Sequence, residues 1–139
     1  MKQHSFNKVV EVRTIQQKQA QQQVADAVRQ RLEEEERLSQ INEHREKAAS
    51  AFRSKQKMSV AQMQTMRSHL SSLSRDIETQ KDTVTKAAEH EDTKRDDLIK
   101  KSQEKKMVEV LNDKRIKSEQ KESDRKEQKT LDEFSQRLR

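Results

Sequence analysis

Ser54–Gln62 reads SKQKMSVAQ, and the fold turns on it. On either side lie long stretches with helical patterning, and the whole chain contains no Gly and no Pro. Those two residues are the strongest helix breakers, so long helices are permitted everywhere else. Within the stretch, Ser59-Val60-Ala61-Gln62 has the form of a capping box. A Ser at the N-cap and a Gln three residues later can each satisfy a backbone N–H of the other. Lys55 and Lys57 suit the end of a preceding helix, where cations offset its dipole. The expectation is helix 1 over about 6–54, a turn over about 55–59 and helix 2 over about 60–138, all in one elongated unit, 1–139.

Working outward, each side of the turn carries a ladder of 4–3 spacing, the mark of a heptad seam. Upstream, with Ser5 or Asn7 as N-cap, it runs Phe6, Val10, Arg13, Gln17, Ala20, Val24, Ala27, Arg31, Glu34, Leu38, Ile41, Arg45, Ala48, Phe52. Its middle is polar, and Val28 and Leu32 offer a competing face there. Downstream it runs Met63, Met66, Leu70, Leu73, Ile77, Gln80, Val84, Ala87, Glu91, Lys94, Leu98. Met107, Val108, Val110, Leu111 and Ile116 form a last apolar cluster. The Gln-rich run Gln16–Gln23 still returns small or apolar residues to the same face, so it reads as helix and not as a low-complexity tract. Glu33–Glu36 reads as an outer face, with Glu33 set to pair with Arg37.

Folding the two ladders together across the turn pairs residues whose numbers add to about 114. Ile41 then meets Leu73, Leu38 meets Ile77, Ala27 meets Ala87, and Phe6 falls beside Val108. At 1.5 Å per residue the first helix is about 72 Å long and the second about 120 Å, so the second overhangs by about 30 residues. The overhang starts near Leu111, where seam apolars stop. The fold class is therefore all-α: an antiparallel two-helix coiled-coil hairpin whose C-terminal helix overhangs. At the far end, Leu131, Phe134 and Leu138 return at helical spacing after the polar run Lys114–Arg125. An apolar stripe on a charged rod implies a docking partner.

Composition agrees. Hydrophobic residues make up 28% and charged residues 40%, against roughly 45–50% apolar in ordinary globular domains. A narrow seam between long helices is what such a chain can bury. Net charge is +6, and the excess is concentrated early, with six Lys/Arg against two Asp/Glu in the first 32 residues. Such an excess suits an acidic partner, a nucleic acid or an anionic membrane. The second half is balanced, which suits a self-paired solvated face. No apolar run approaches the roughly 18 residues of a membrane span. The N-terminus lacks the apolar core of a secretory signal, so a cytosolic place is the default expectation. The absence of Cys excludes a disulfide framework.

Catalytic chemistry is not expected. Catalysis needs a site that excludes water and fixes groups closely, and a two-helix rod offers none. His4, His44, His69 and His90 lack HxxxH or HExxH spacing, and no Gly-rich phosphate cradle exists. No cofactor and no metal are expected. Three Phe with no Tyr or Trp argue against stacking on nucleic acid.

At the C-terminal end the residues become specific. Leu111-Asn112-Asp113-Lys114-Arg115, followed by Glu127-Gln128-Lys129-x-Leu131-Asp132-Glu133-Phe134, resembles the FliJ family of flagellar type III export proteins. Phe6, Val9, Val10 and Arg13 near the start, and Leu70, Leu73 and Ile77 on the returning helix, fit the same family. The resemblance implies an antiparallel hairpin like the central stalk of rotary ATPases, held inside a hexameric export ATPase ring. It implies contacts with the cytoplasmic domain of the export gate and with export chaperones, and a cytoplasmic position peripheral to the inner membrane. It also implies a monomeric hairpin with no membrane insertion. On it, the ring-binding candidates are Leu131, Phe134 and Leu138 as apolar contacts, with Glu127, Lys129, Asp132 and Glu133 as polar ones. The implied gate surface falls near Arg37, Ile41, His44 and Ala48, and near His69, Leu73, Asp76 and Gln80. Some members carry aromatics there; this chain has His and Ala. The rival reading is a basic coiled-coil adaptor or scaffold that binds nucleic acid.

Overall fold

The computed structural model describes residues 2–138. Two helices account for almost all of them, α1 over Lys2–Ser54 and α2 over Val60–Arg137. The fold is the all-α hairpin, with no strand among the described residues. Residues 55–59 connect the helices. There Ser59 N donates to Gln62 Oε1 at 3.1 Å, and Gln62 N donates to Ser59 Oγ at 3.1 Å. That reciprocal pair is the expected capping box, and it satisfies two of the helix's orphan donors. Ser59→Ala should cost about 1 kcal/mol of stability in urea unfolding. An unchanged midpoint would remove the cap from the account of the turn.

The contacts divide the chain into two units. The first joins Met1–Gln19 with Ile99–Arg139, and the second is Ala20–Leu98. In the second, the buried apolar residues are Ala20, Ala27, Leu73 and Ile77, and no large side chain is completely enclosed. All seven α1 ladder positions from Arg31 to Phe52 are at least half-buried, including the polar Arg31, Glu34 and Arg45. Leu32, on the competing face, is 52% exposed. The polar seam positions are retained because their groups are paired. Arg31 Nε donates to Glu91, the one buried charged residue described. Glu91 also accepts from Arg95 at 2.8 Å, and Arg31 reaches Glu35 at 2.9 Å. Gln80 Nε2 donates to both the carbonyl and the carboxylate of Glu34, at 3.0 and 2.6 Å. A buried charge without such partners would be strongly unfavourable.

In the first unit, Phe6, Val10, Arg13 and Gln17 of α1 are half-buried. Arg13 Nη1 donates to Glu104 at 2.7 Å and to Gln16 at 3.1 Å. Gln17 Nε2 donates to Ser102 Oγ at 3.0 Å. Of the last apolar cluster, only Val108 turns into the seam. Met107, Val110, Leu111 and Ile116 are 40–65% exposed.

The cross-helix contacts include the expected register and reach past it along α2. The cross-helix pairs have residue numbers that add to 113 for His44–His69 and 114 for Glu34–Gln80. They add to 119 for Arg45–Ser74 and 122 for Arg31–Glu91. In the other unit they add to 117 for Arg13–Glu104, 119 for Gln17–Ser102 and 121 for Phe6–Arg115. These centre near 118, about four residues beyond 114, the spacing of one helical turn. Residues 59–65 are all exposed, Met63 among them at 44%, so the seam of α2 begins only at Met66. The first turn of α2 is used for capping and contributes nothing to the seam. Phe6 meets Arg115.

Candidate functional site

Arg115 closes the paired part of the first unit. Its guanidinium lies 4.9 Å from the centre of the Phe6 ring, a cation–π contact. It also pairs with Glu119 at 2.9 Å and donates to Asn112 Oδ1 at 3.1 Å. Beyond it, every described residue from Ile116 to Leu138 is exposed. This segment is helical without a partner helix. Side-chain pairs along its own surface support it, as with Gln128 Nε2 to Asp132 Oδ1 at 3.2 Å, and Thr130 Oγ1 satisfies its hydroxyl on the Lys126 carbonyl at 2.9 Å. The overhang expected near Leu111 thus starts about one turn later, because Arg115 fills the last seam position against Phe6.

Leu131, Phe134 and Leu138 are 62%, 62% and 75% exposed. At 100° per residue they lie within about 60° of one another, a continuous stripe on one helix face. Glu127 precedes Leu131 by one turn on that same face and shares an open groove with it, Ser123 and Thr130. Glu133 lies about 130° round the helix from the stripe's centre, away from it. Lys129 and Asp132 lie on the far side, so the helix separates them from the apolar contacts. The segment 116–138 is electrically neutral, with six Lys/Arg and six Asp/Glu. What it offers a partner is apolar area on a neutral, straight support.

The other candidates lie in the Ala20–Leu98 unit. His44 and His69 meet edge to face, with ring centres 5.8 Å apart and planes at 87°. Leu73 is buried at 8% exposure and Ile41 is half-buried, so both serve the seam. Arg37 is exposed and holds Glu34 at 2.9 Å. Ala48 and Gln80 are half-buried and Asp76 is exposed. The accessible parts of this surface are therefore the two imidazoles, Arg37 and Asp76. Arg115 was not singled out by the sequence reading as a seam residue. Its place in the continuing 4–3 ladder after Val108 and Asn112 is the signal that would have found it.

No group of metal-ligating side chains occurs among the described residues, and no described helix is long and apolar enough to cross a membrane. The family model described as flagellar FliJ protein matches residues 1–139. No curated protein and no solved structure matches the chain. A full-length family match, carried on a two-helix hairpin, leaves one conclusion: this chain belongs to the FliJ family, the non-catalytic proteins of flagellar type III export.

Proposed function

We propose that the chain is the central stalk of the export apparatus, seated inside the hexameric export ATPase through its bare C-terminal helix. The observation that carries this is the segment 116–138, helical, neutral and unpaired, ending in the exposed stripe Leu131, Phe134 and Leu138. A single helix fits a narrow central opening better than a helix pair does, and a continuous helix can present its end without a hinge. Asymmetric contact with the surrounding subunits favours ring assembly and turnover, so the effect on ATP hydrolysis is stimulatory. Arg37, His44 and His69, with Ile41 and Leu73 as seam support, are the candidates for the export gate, and export chaperones are further partners. On this reading the protein works in the cytoplasm, peripheral to the inner membrane.

Mixing the full chain with its cognate ATPase tests the reading. ATP hydrolysis should rise, and the two proteins should co-elute. Because the docking segment has no net charge, co-elution should survive high salt, where screening removes interactions between exposed charges. No co-elution together with unchanged hydrolysis would sink the proposal.

A further inference from the structure

The Ala20–Leu98 unit carries a charge arrangement that neither the seam nor the stalk reading uses. Between Glu46 and Asp76 the chain has no carboxylate side chain, yet it has six Lys/Arg. In a chain with 25 Asp/Glu, that gap is not a consequence of composition. Folding then concentrates it. Arg45, Arg67 and Arg75 line one open groove with Leu70, Ser71 and Ser74. Arg45 Nε donates to Ser74 Oγ at 2.9 Å, which leaves its remaining donors uncommitted to carboxylate.

The pairing pattern isolates these three residues. Up to Arg115 the described chain has ten arginines. Seven of them form ion pairs: Arg13, Arg29, Arg31, Arg37, Arg53, Arg95 and Arg115. The three that form none are the three that line this groove. Glu43, Glu46 and Glu78 are engaged by Lys47, Arg53 and Lys81, and Asp76, beside Arg75 in the sequence, does not line the groove. The groove is therefore a convergent cationic site with hydroxyls between its cations and no anion of its own.

We propose that this groove binds an acidic peptide segment of a protein partner. Arginine forks match carboxylates bidentately, and Ser71 and Ser74 add hydroxyl donors between them. Arg67 and Arg75 are eight residues apart on α2, or about 12 Å. That span matches carboxylates two turns apart on an acidic helix, with Leu70 beneath as the apolar anchor. Nucleic acid is less well served. Three cations release too few counterions for binding at physiological salt, and the groove has no aromatic for a base to stack on. An anionic membrane would require a broad apolar face, and Leu70 is the one apolar residue lining the groove. The site lies on the opposite side of the seam from the His44–His69 pair, because residues 67 and 74 flank the α2 seam on one side and residue 69 on the other. It does not depend on the stalk reading.

Fluorescence anisotropy of a short labelled polyglutamate peptide, titrated with the full chain at low ionic strength, tests the proposal. Arg67 and Arg75 are exposed, so R67Q/R75Q should keep the helical circular dichroism and melting profile. It should weaken peptide binding about tenfold, the product of two modest charge contacts. The control is R125Q/R137Q, with the same loss of charge from exposed arginines that form no described ion pair; it should change binding less than twofold. Equal losses in both variants would reduce the effect to net charge and overturn the proposal. So would R67Q/R75Q-sensitive binding to phosphatidylglycerol vesicles without sensitivity in the peptide titration, which would make lipid the ligand. Should the double variant melt early, R75Q alone carries the same comparison.

Discussion

On the stalk reading, alanine at Leu131, Phe134 and Leu138 together should abolish stimulation of the export ATPase and leave the melting temperature of the isolated protein unchanged. The two halves of this result have different physical origins. In the free protein the three side chains are 62–75% exposed, so their truncation removes little buried area. Alanine is also the better helix former, and surface changes of this kind stay within about 0.5 kcal/mol. On the stalk reading the same side chains become buried in the ring, where each would contribute roughly 1.5–3 kcal/mol on transfer from water. Losing all three therefore weakens binding by roughly 4 kcal/mol or more, about a thousandfold. Lys129→Ala with Asp132→Ala provides the contrast. Those positions lie across the helix from the stripe, and their loss should weaken binding only a few-fold if they touch the ring at its rim. The measurements are ATP hydrolysis against stalk concentration and thermal melts by circular dichroism. A melting temperature lowered by several degrees in the triple variant would mean that the stripe is packed in the free protein, and the docking account would fail.

The ladder in the sequence located the seam well because periodicity is a local property. Every α1 ladder residue from Phe6 to Phe52 is buried or half-buried, and even Arg31 and Glu34 hold the seam while the more apolar Leu32 is exposed. Register is not local. It depends on which side chains reach across the seam, and the observed contacts run from the expected sum near 114 up to 122. The contact of Phe6 with Arg115 marks the start of the bare segment. The stripe at Leu131, Phe134 and Leu138 was legible from spacing alone. The groove of Arg45, Arg67 and Arg75 was not, since no spacing along one helix brings residue 45 beside residue 74. The face on which Lys129 and Asp132 lie was readable, but motif resemblance grouped them with the stripe and helix geometry separates them.

Glu91→Ala lowers the melting temperature by roughly 5–10 °C, the largest loss expected from one substitution in this seam. Glu91 is 6% exposed and is held by Arg31 across the seam and by Arg95 one turn on. Removing it leaves the half-buried guanidinium of Arg31 facing Glu35 alone. The pH dependence gives an independent reading of the same cluster. Hydrogen bonds from Arg95 and then Arg31 hold the Glu91 carboxyl below its ordinary value, more than offsetting the opposing effect of burial. Its folded pKa is therefore depressed relative to the unfolded value of about 4.3. The stabilisation is fully present above that unfolded value and is lost as pH falls through the folded pKa. Between pH 5 and 3 the wild type should lose stability more steeply than Glu91→Gln, which cannot titrate. Parallel stability curves for the two would show that the charge on Glu91 contributes nothing. Replacing both Arg31 and Glu91 with Leu separates stability from register. Apolar packing there should match or exceed the ion pair in melting temperature, because the desolvation of both charges is avoided. The ion pair, in contrast, has its strongest geometry in one alignment of α1 against α2, whereas leucines pack acceptably after a slip of one heptad. Spin labels at exposed positions on the two helices of this unit should then give one distance in the wild type and a broadened distribution in the double-Leu variant. A single sharp distance in both would assign register to Leu73, Ile77 and the turn alone.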